Sequence, residues 1–145
     1  MAWAYFDTSA LVKRYVDETG RRDVLRLLRL YEVVTSALAP VELRSAFRRR
    51  VADGALDEEH VPHILKQLAA ERGSWALVDA SRESLATAET LVATHPLRAL
   101  DAIHVASAQL FATRIGMPKL MFVSADARQT TAAAAVGMTP RHIAV

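Results

Sequence analysis

Short apolar runs alternate along this chain with longer stretches in which apolar residues recur every three or four positions. The runs are WAYF at 3–6, EVVTS at 32–36, WALV at 75–78 and LMFV at 120–123. Each has the length of a strand, and such near-continuous runs suit strands buried on both faces. Val24, Leu27, Leu28 and Tyr31 fall at i, i+3, i+4 and i+7, which predicts an amphipathic helix. A shorter helix over LVKRYVDE stops before Gly20. PVELRSAFRRRVADG predicts a helix with Pro40 in its first turn and Gly54 just past its end. DEEHVPHILKQLAAERG predicts the next, with Asp57 as its cap and Gly73 as its stop. SRESLATAETLVATH starts at Ser81 and carries Glu83 in its first turn. LRALDAIHVASAQLFATRIG is apolar on nearly every side, so it belongs in the core. ARQTTAAAAVG is a short helix closed by Gly137, and RHIAV is a last short strand. Strands alternating with helices predict an α/β fold, a three-layer α/β/α sandwich around a mainly parallel sheet of four to five strands. The ligand site of such a sheet lies at the carboxyl ends of its strands.

Composition narrows the chemistry. The 145 residues are 52% hydrophobic and 23% charged, the balance of one ordinary globular domain over 1–145. With no cysteine, disulfides, thiolate catalysis, iron–sulfur clusters and cysteine-bound zinc are all excluded. There is no apolar run of membrane-spanning length and no signal-peptide pattern, so the expectation is a cytoplasmic protein with no membrane partner. Formal net charge is only +2, but arginines cluster at 21, 22, 26 and 29 and at 44, 48, 49 and 50. A solvated helix face explains these; contact with the phosphates of a nucleic acid is the alternative.

The acids sit in telling places. Asp7 ends the first apolar run and precedes Thr8 and Ser9. Asp126 ends the fourth in the same manner, after Ser124. Glu42 lies in the first turn of the helix after the second strand, and Asp101 near the start of the most apolar helix. Each alone can be a cap or a first-turn acid. Together they fall at one edge of a parallel sheet. Carboxylates crowded there repel one another, and a divalent cation relieves the repulsion. An all-oxygen donor set favours Mg²⁺ or Mn²⁺ over zinc.

YFDTSALVKRY, TSALAPVELRSAFRRR, LRALDAIHVASAQL and FVSADARQTTAAAAVGM together resemble the PIN-domain family, and within it the VapC-type toxins of bacterial toxin–antitoxin pairs. The resemblance spans nearly the whole chain. It implies a PIN-like sandwich and a metal-dependent endoribonuclease using Mg²⁺ or Mn²⁺. It carries Asp7, Glu42, Asp101 and Asp126 over as catalytic and metal-binding acids, and makes Thr8 and Ser124 hydroxyl helpers. Ser124 stands where the family more often has Thr. Arg44, Arg48 and Arg49 become candidate RNA contacts. The resemblance also implies a homodimer and a cognate VapB-type antitoxin whose peptide covers the groove. The alternative from a different class is a catalytically silent PIN-like module that binds RNA or protein.

Other residues attract less. His104 follows Asp101 by one helical step and reads as a core or supporting histidine rather than a general base. His60 and His63 flank Pro62 in an exposed stretch, which disfavours a second metal site. Trp3 and Trp75 read as core or interface residues. A serine nucleophile lacks its elbow motif, and neither a phosphate loop nor a dinucleotide fingerprint is present.

Overall fold

A computed structural model describes all residues from Met1 to Val145. Five strands form one sheet: β1 (Ala2–Phe6), β2 (Tyr31–Ser36), β3 (Ala76–Val78), β4 (Met121–Ser124) and β5 (Thr139–His142). Their order is β3-β2-β1-β4-β5, and every pairing is parallel. Seven α-helices cover it: α1 (Thr8–Tyr15), α2 (Arg21–Leu30), α3 (Ala39–Ala52), α4 (Val61–Glu71), α5 (Arg82–Thr94), α6 (Ala99–Arg114) and α7 (Ala127–Ala135). No helix is long and apolar enough to cross a membrane.

Successive side chains of a strand point to opposite faces, and β1 shows what that does here. Ala4 and Phe6 enter a core with Leu11 of α1, Val24 of α2, Leu43 and Phe47 of α3, and Leu68 of α4. Tyr5 enters the other core, with Leu91 of α5, Val105 and Ala106 of α6, and Ala133 of α7. The sandwich therefore has three layers, as the alternating pattern predicts. Its sheet is parallel throughout, which explains why the strand runs lack polar alternation. β1 lies between β2 and β4, and the carboxyl ends of β1 and β4 open the crevice where such folds bind ligands.

The edges of the elements depart from expectation in several places: Tyr31, for one, opens β2 instead of continuing α2. α1 ends at Tyr15, because Val16 is already extended. Asp57 makes no side-chain cap bond; a single 3-10 turn, Glu58–His60, leads into α4 instead. The last strand is Thr139–His142 rather than RHIAV, because Met121 to Ser124 of β4 pair with those residues.

Two contacts fasten β5 and its extension to the rest. Arg141 Nη2 donates to both Asp23 carboxylate oxygens, at 2.6 and 2.7 Å. Gly20 adopts φ +90°, and a Cβ there would stand 2.6 Å from the Ala144 carbonyl oxygen and 2.6 Å from Ile143. Backbone conformation and space thus both require glycine. Gly20→Ala should cost about 2 kcal/mol or more, read by urea denaturation. An unchanged midpoint would show that this junction yields freely.

The Arg141 hydrogen bond, foremost, holds the Asp23 carboxyl below its ordinary value. A depressed folded pKa contributes stability above the unfolded value, lost as pH falls through the folded one. Asp23→Asn should therefore melt lower than the parent at pH 7, with the gap closing below about pH 4. A gap that persists in acid would assign the loss to packing instead.

Candidate active site

The carboxyl ends of β1 and β4, with the first turns of α3 and α6, enclose a cleft of about 810 Å³. Asp7, Thr8, Glu42, Asp101 and Asp126 all line it. Ser124 lies directly beneath, fully buried, at the end of β4.

Asp7 directly follows the last residue of β1. It caps α1, accepting the Ala10 N–H on Oδ1 at 3.1 Å. It is also buried, and three donors serve it. Ser9 Oγ donates to Oδ1 at 2.7 Å, and Ser124 Oγ, from the neighbouring strand, to Oδ2 at 3.0 Å. Burial nevertheless pushes the Asp7 carboxyl up from its usual range, against the opposing pull of His104 and the hydroxyls.

Glu42 sits across the cleft in the first turn of α3. His104 Nε2 lies 2.6 Å from its Oε1, and Thr8 Oγ1 donates to the same oxygen at 2.9 Å. Burial raises the Glu42 carboxyl, but the bond and charge of His104 outweigh it and hold the group below its ordinary value. For His104, burial works against the charged form, yet Glu42 and Asp7 outweigh it and raise the imidazole. His104 follows Asp101 by three residues on α6, but its imidazole bonds Glu42.

Asp101 stands at the third position of α6 and accepts the Gln129 side-chain amide on Oδ1 at 3.0 Å. Arg98 approaches Oδ2 at 3.3 Å through Nε. Asp126 caps α7, accepting the Arg128 N–H at 2.9 Å. All four acids thus share one cleft, but no three acidic or histidine side chains close into a ready-made cation cage. Each carboxylate instead has its own donors.

The donor set still fits a hard divalent cation, being carboxylate oxygens with hydroxyls nearby and no sulfur. Glu42 Oε2 accepts no hydrogen bond, since both its donors fall on Oε1. Asp7, Glu42, Asp101 and Asp126 are the residues that would hold such an ion.

Of the three arginines expected to meet RNA, only Arg49 lines this cleft. Arg44 and Arg48 face a separate groove with Phe47 of α3 and Leu65 of α4. Arg44 and Arg48 are one turn apart and share a face, whereas Arg49 stands about 100° further round the helix. It shares a face with Glu42, seven residues earlier. Sequence reasoning missed Arg98 and Gln129 and gave Ser9 no supporting part. For Arg98 the available signal was spacing, three residues before Asp101; Gln129, whose partner Asp101 lies 28 positions away, left no such signal. His60 and His63 form no metal group. Trp3 packs edge-on against Phe111, with centroids 5.5 Å apart.

A family model, the PIN domain, matches residues 4–134. The chain belongs to the PIN-domain family. Among solved structures the fold is similar to a chain of a toxin–antitoxin complex from Klebsiella pneumoniae. That match has TM-score 0.67 and 20% identity, covering 97% of this chain and 99% of the other. It is also similar to PAE2754 from Pyrobaculum aerophilum, with TM-score 0.62 and 16% identity over 96% of this chain and 83% of that one. A search of curated protein sequences finds no match. At these identities the solved structures show a shared fold. The PIN match includes every acid of the cleft.

A buried carboxylate with a raised pKa destabilises the ion-free fold at neutral pH. Asp7→Asn should therefore raise the melting temperature in EDTA by about 2–4 °C, equivalent to about 1 kcal/mol. A lower melting temperature would mean that the Ser9 and Ser124 bonds outweigh desolvation.

Proposed function

We propose that this chain is a metal-dependent endoribonuclease, the VapC-type toxin of a type II toxin–antitoxin pair. The observation that carries the reading is the gathering of Asp7, Glu42, Asp101 and Asp126 along one cleft of a PIN domain. The likeness to a chain of a toxin–antitoxin complex supports an antitoxin as partner; a VapB-type antitoxin and a homodimer complete the proposed setting.

Bound Mg²⁺ or Mn²⁺ supplies a water of lowered pKa and offsets charge on the phosphate. The protein's own part is to place and insulate. Ser9 and Ser124 orient Asp7 from beneath, while Thr8 and His104 orient Glu42. Arg49 and Arg98, on the cleft wall, offer planar donors to backbone phosphates. No general base among the side chains is required. Because the nucleophile is a water, the ribose 2′-OH is spared, and products carry a 5′-phosphate and a 3′-hydroxyl.

One arrangement favours the alternative of a silent RNA- or protein-binding module: Arg98 and Gln129 already serve Asp101, and no cation cage is closed. The deciding experiment incubates antitoxin-free protein with total bacterial RNA and Mg²⁺ or Mn²⁺, then maps new 5′ ends. Discrete ends should appear, vanish in EDTA, and fall by more than about 100-fold in Asp7→Asn, since even outer-shell partners are worth 10–100-fold. Identical ends from parent and variant would give the module the lead. Arg49→Ala should flatten the log–log salt dependence of RNA binding by about 0.7, the share of one single-strand phosphate contact.

A further inference from the structure

Below Glu42, the layer between α6 and the sheet holds a column of polar side chains in otherwise apolar surroundings. His104 is 2% exposed, while Tyr5, Thr35 and Ser107 are fully buried. His104 spans the column, with Nε2 on Glu42 Oε1 at 2.6 Å and Nδ1 on the Tyr5 hydroxyl at 2.8 Å. An ionised carboxylate only accepts, so Nε2 carries the proton it shares with Glu42. The Tyr5 ring holds the imidazole edge-on, with centroids 5.9 Å apart, and is itself stacked on Phe122 at 5.3 Å. This seat leaves the imidazole little rotational freedom.

Stability alone does not account for the column. Burial raises the Tyr5 pKa, and Ser107 and Thr35 stand close enough to its hydroxyl to oppose the rise, yet neither of their hydroxyls makes a hydrogen bond of good geometry. An apolar filling would avoid that cost. What the column does deliver is a one-sided carboxylate: His104 and Thr8 both converge on Glu42 Oε1, and Oε2 is left without a donor.

We propose that His104, seated on Tyr5, is a positioning residue that saturates one Glu42 oxygen from below and thereby fixes Glu42 as a one-oxygen cation ligand. The proposal rests on the metal-dependent reading given above. Outer partners of metal ligands characteristically set ligand orientation, and their loss weakens binding by about 10–100-fold.

The test titrates the antitoxin-free full chain with Mn²⁺ and follows free Mn²⁺ by electron paramagnetic resonance, without RNA. The variants are His104→Leu, His104→Gln and Tyr5→Phe, each checked for folding by circular dichroism. His104→Leu should weaken Mn²⁺ by about 10–100-fold. His104→Gln, which can still offer an N–H to Oε1, should restore most of the affinity. Tyr5→Phe, which keeps the ring but removes the hydroxyl under Nδ1, should fall between them. If His104→Leu does not fold, the weakened binding of Tyr5→Phe carries the same test. Equal Mn²⁺ affinity in the parent and every folded variant would overturn the proposal while leaving the nuclease reading intact. A His104→Gln variant as weak as His104→Leu would also overturn it, because the donated hydrogen bond would then not be what matters. A parent chain that binds no Mn²⁺ would overturn both.

Discussion

A carboxylate buried at the end of a central parallel strand is the constraint around which this molecule is arranged. Asp7 cannot be left alone at the junction of β1 and α1, because a desolvated charge there costs more than one helix cap returns. Its donors come from separate parts of the chain: the start of α1 and the end of β4. The β1–β4 pairing, with Phe6 opposite Val123, sets the register that brings Ser124 to it. Shifting that pairing by one residue would turn the hydroxyl to the opposite face.

The same economy runs through the rest of the cleft. Asp7 and Asp126 each accept a backbone N–H from a helix first turn, so the groups that end two strands also begin two helices. The same carboxylates that line the cleft are thus the caps of α1 and α7. Arg98 already occupies one oxygen of Asp101, whereas Glu42 keeps one oxygen without a donor.

Much of this was readable in the sequence because burial on both faces leaves a plain mark. WAYF and LMFV could only be central strands, and the nearly all-apolar helix around Asp101 could only lie inside. Acids that interrupt such segments stand out against them. What stayed hidden depended on rotation about helices and on side chains that cross between them. Arg44, Arg48 and Arg49 look like one basic cluster in one dimension, yet the helix sends them to two different grooves. Gln129 is an unremarked residue in an alanine-rich stretch until α7 is seen to aim its amide at Asp101. His104 was placed correctly in the core, but its partner could not be foreseen, since Glu42 lies sixty-two positions away. The last strand was misplaced by two residues because its own apolar content is slight and its pairing with β4 decides its position.

The hydrogen bond from Ser124 to Asp7 joins residues 117 apart in the chain. A cleft assembled from such distant pieces has no partial form. While a ribosome is still making the chain, a nascent segment that ends before β4 contains Asp7, Glu42 and Asp101 but lacks the strand and the Ser124 hydroxyl that serve the second oxygen of Asp7. Loop closure over so long a separation comes late in folding. The cleft is therefore complete only once β4 has emerged, after most of the protein has been made.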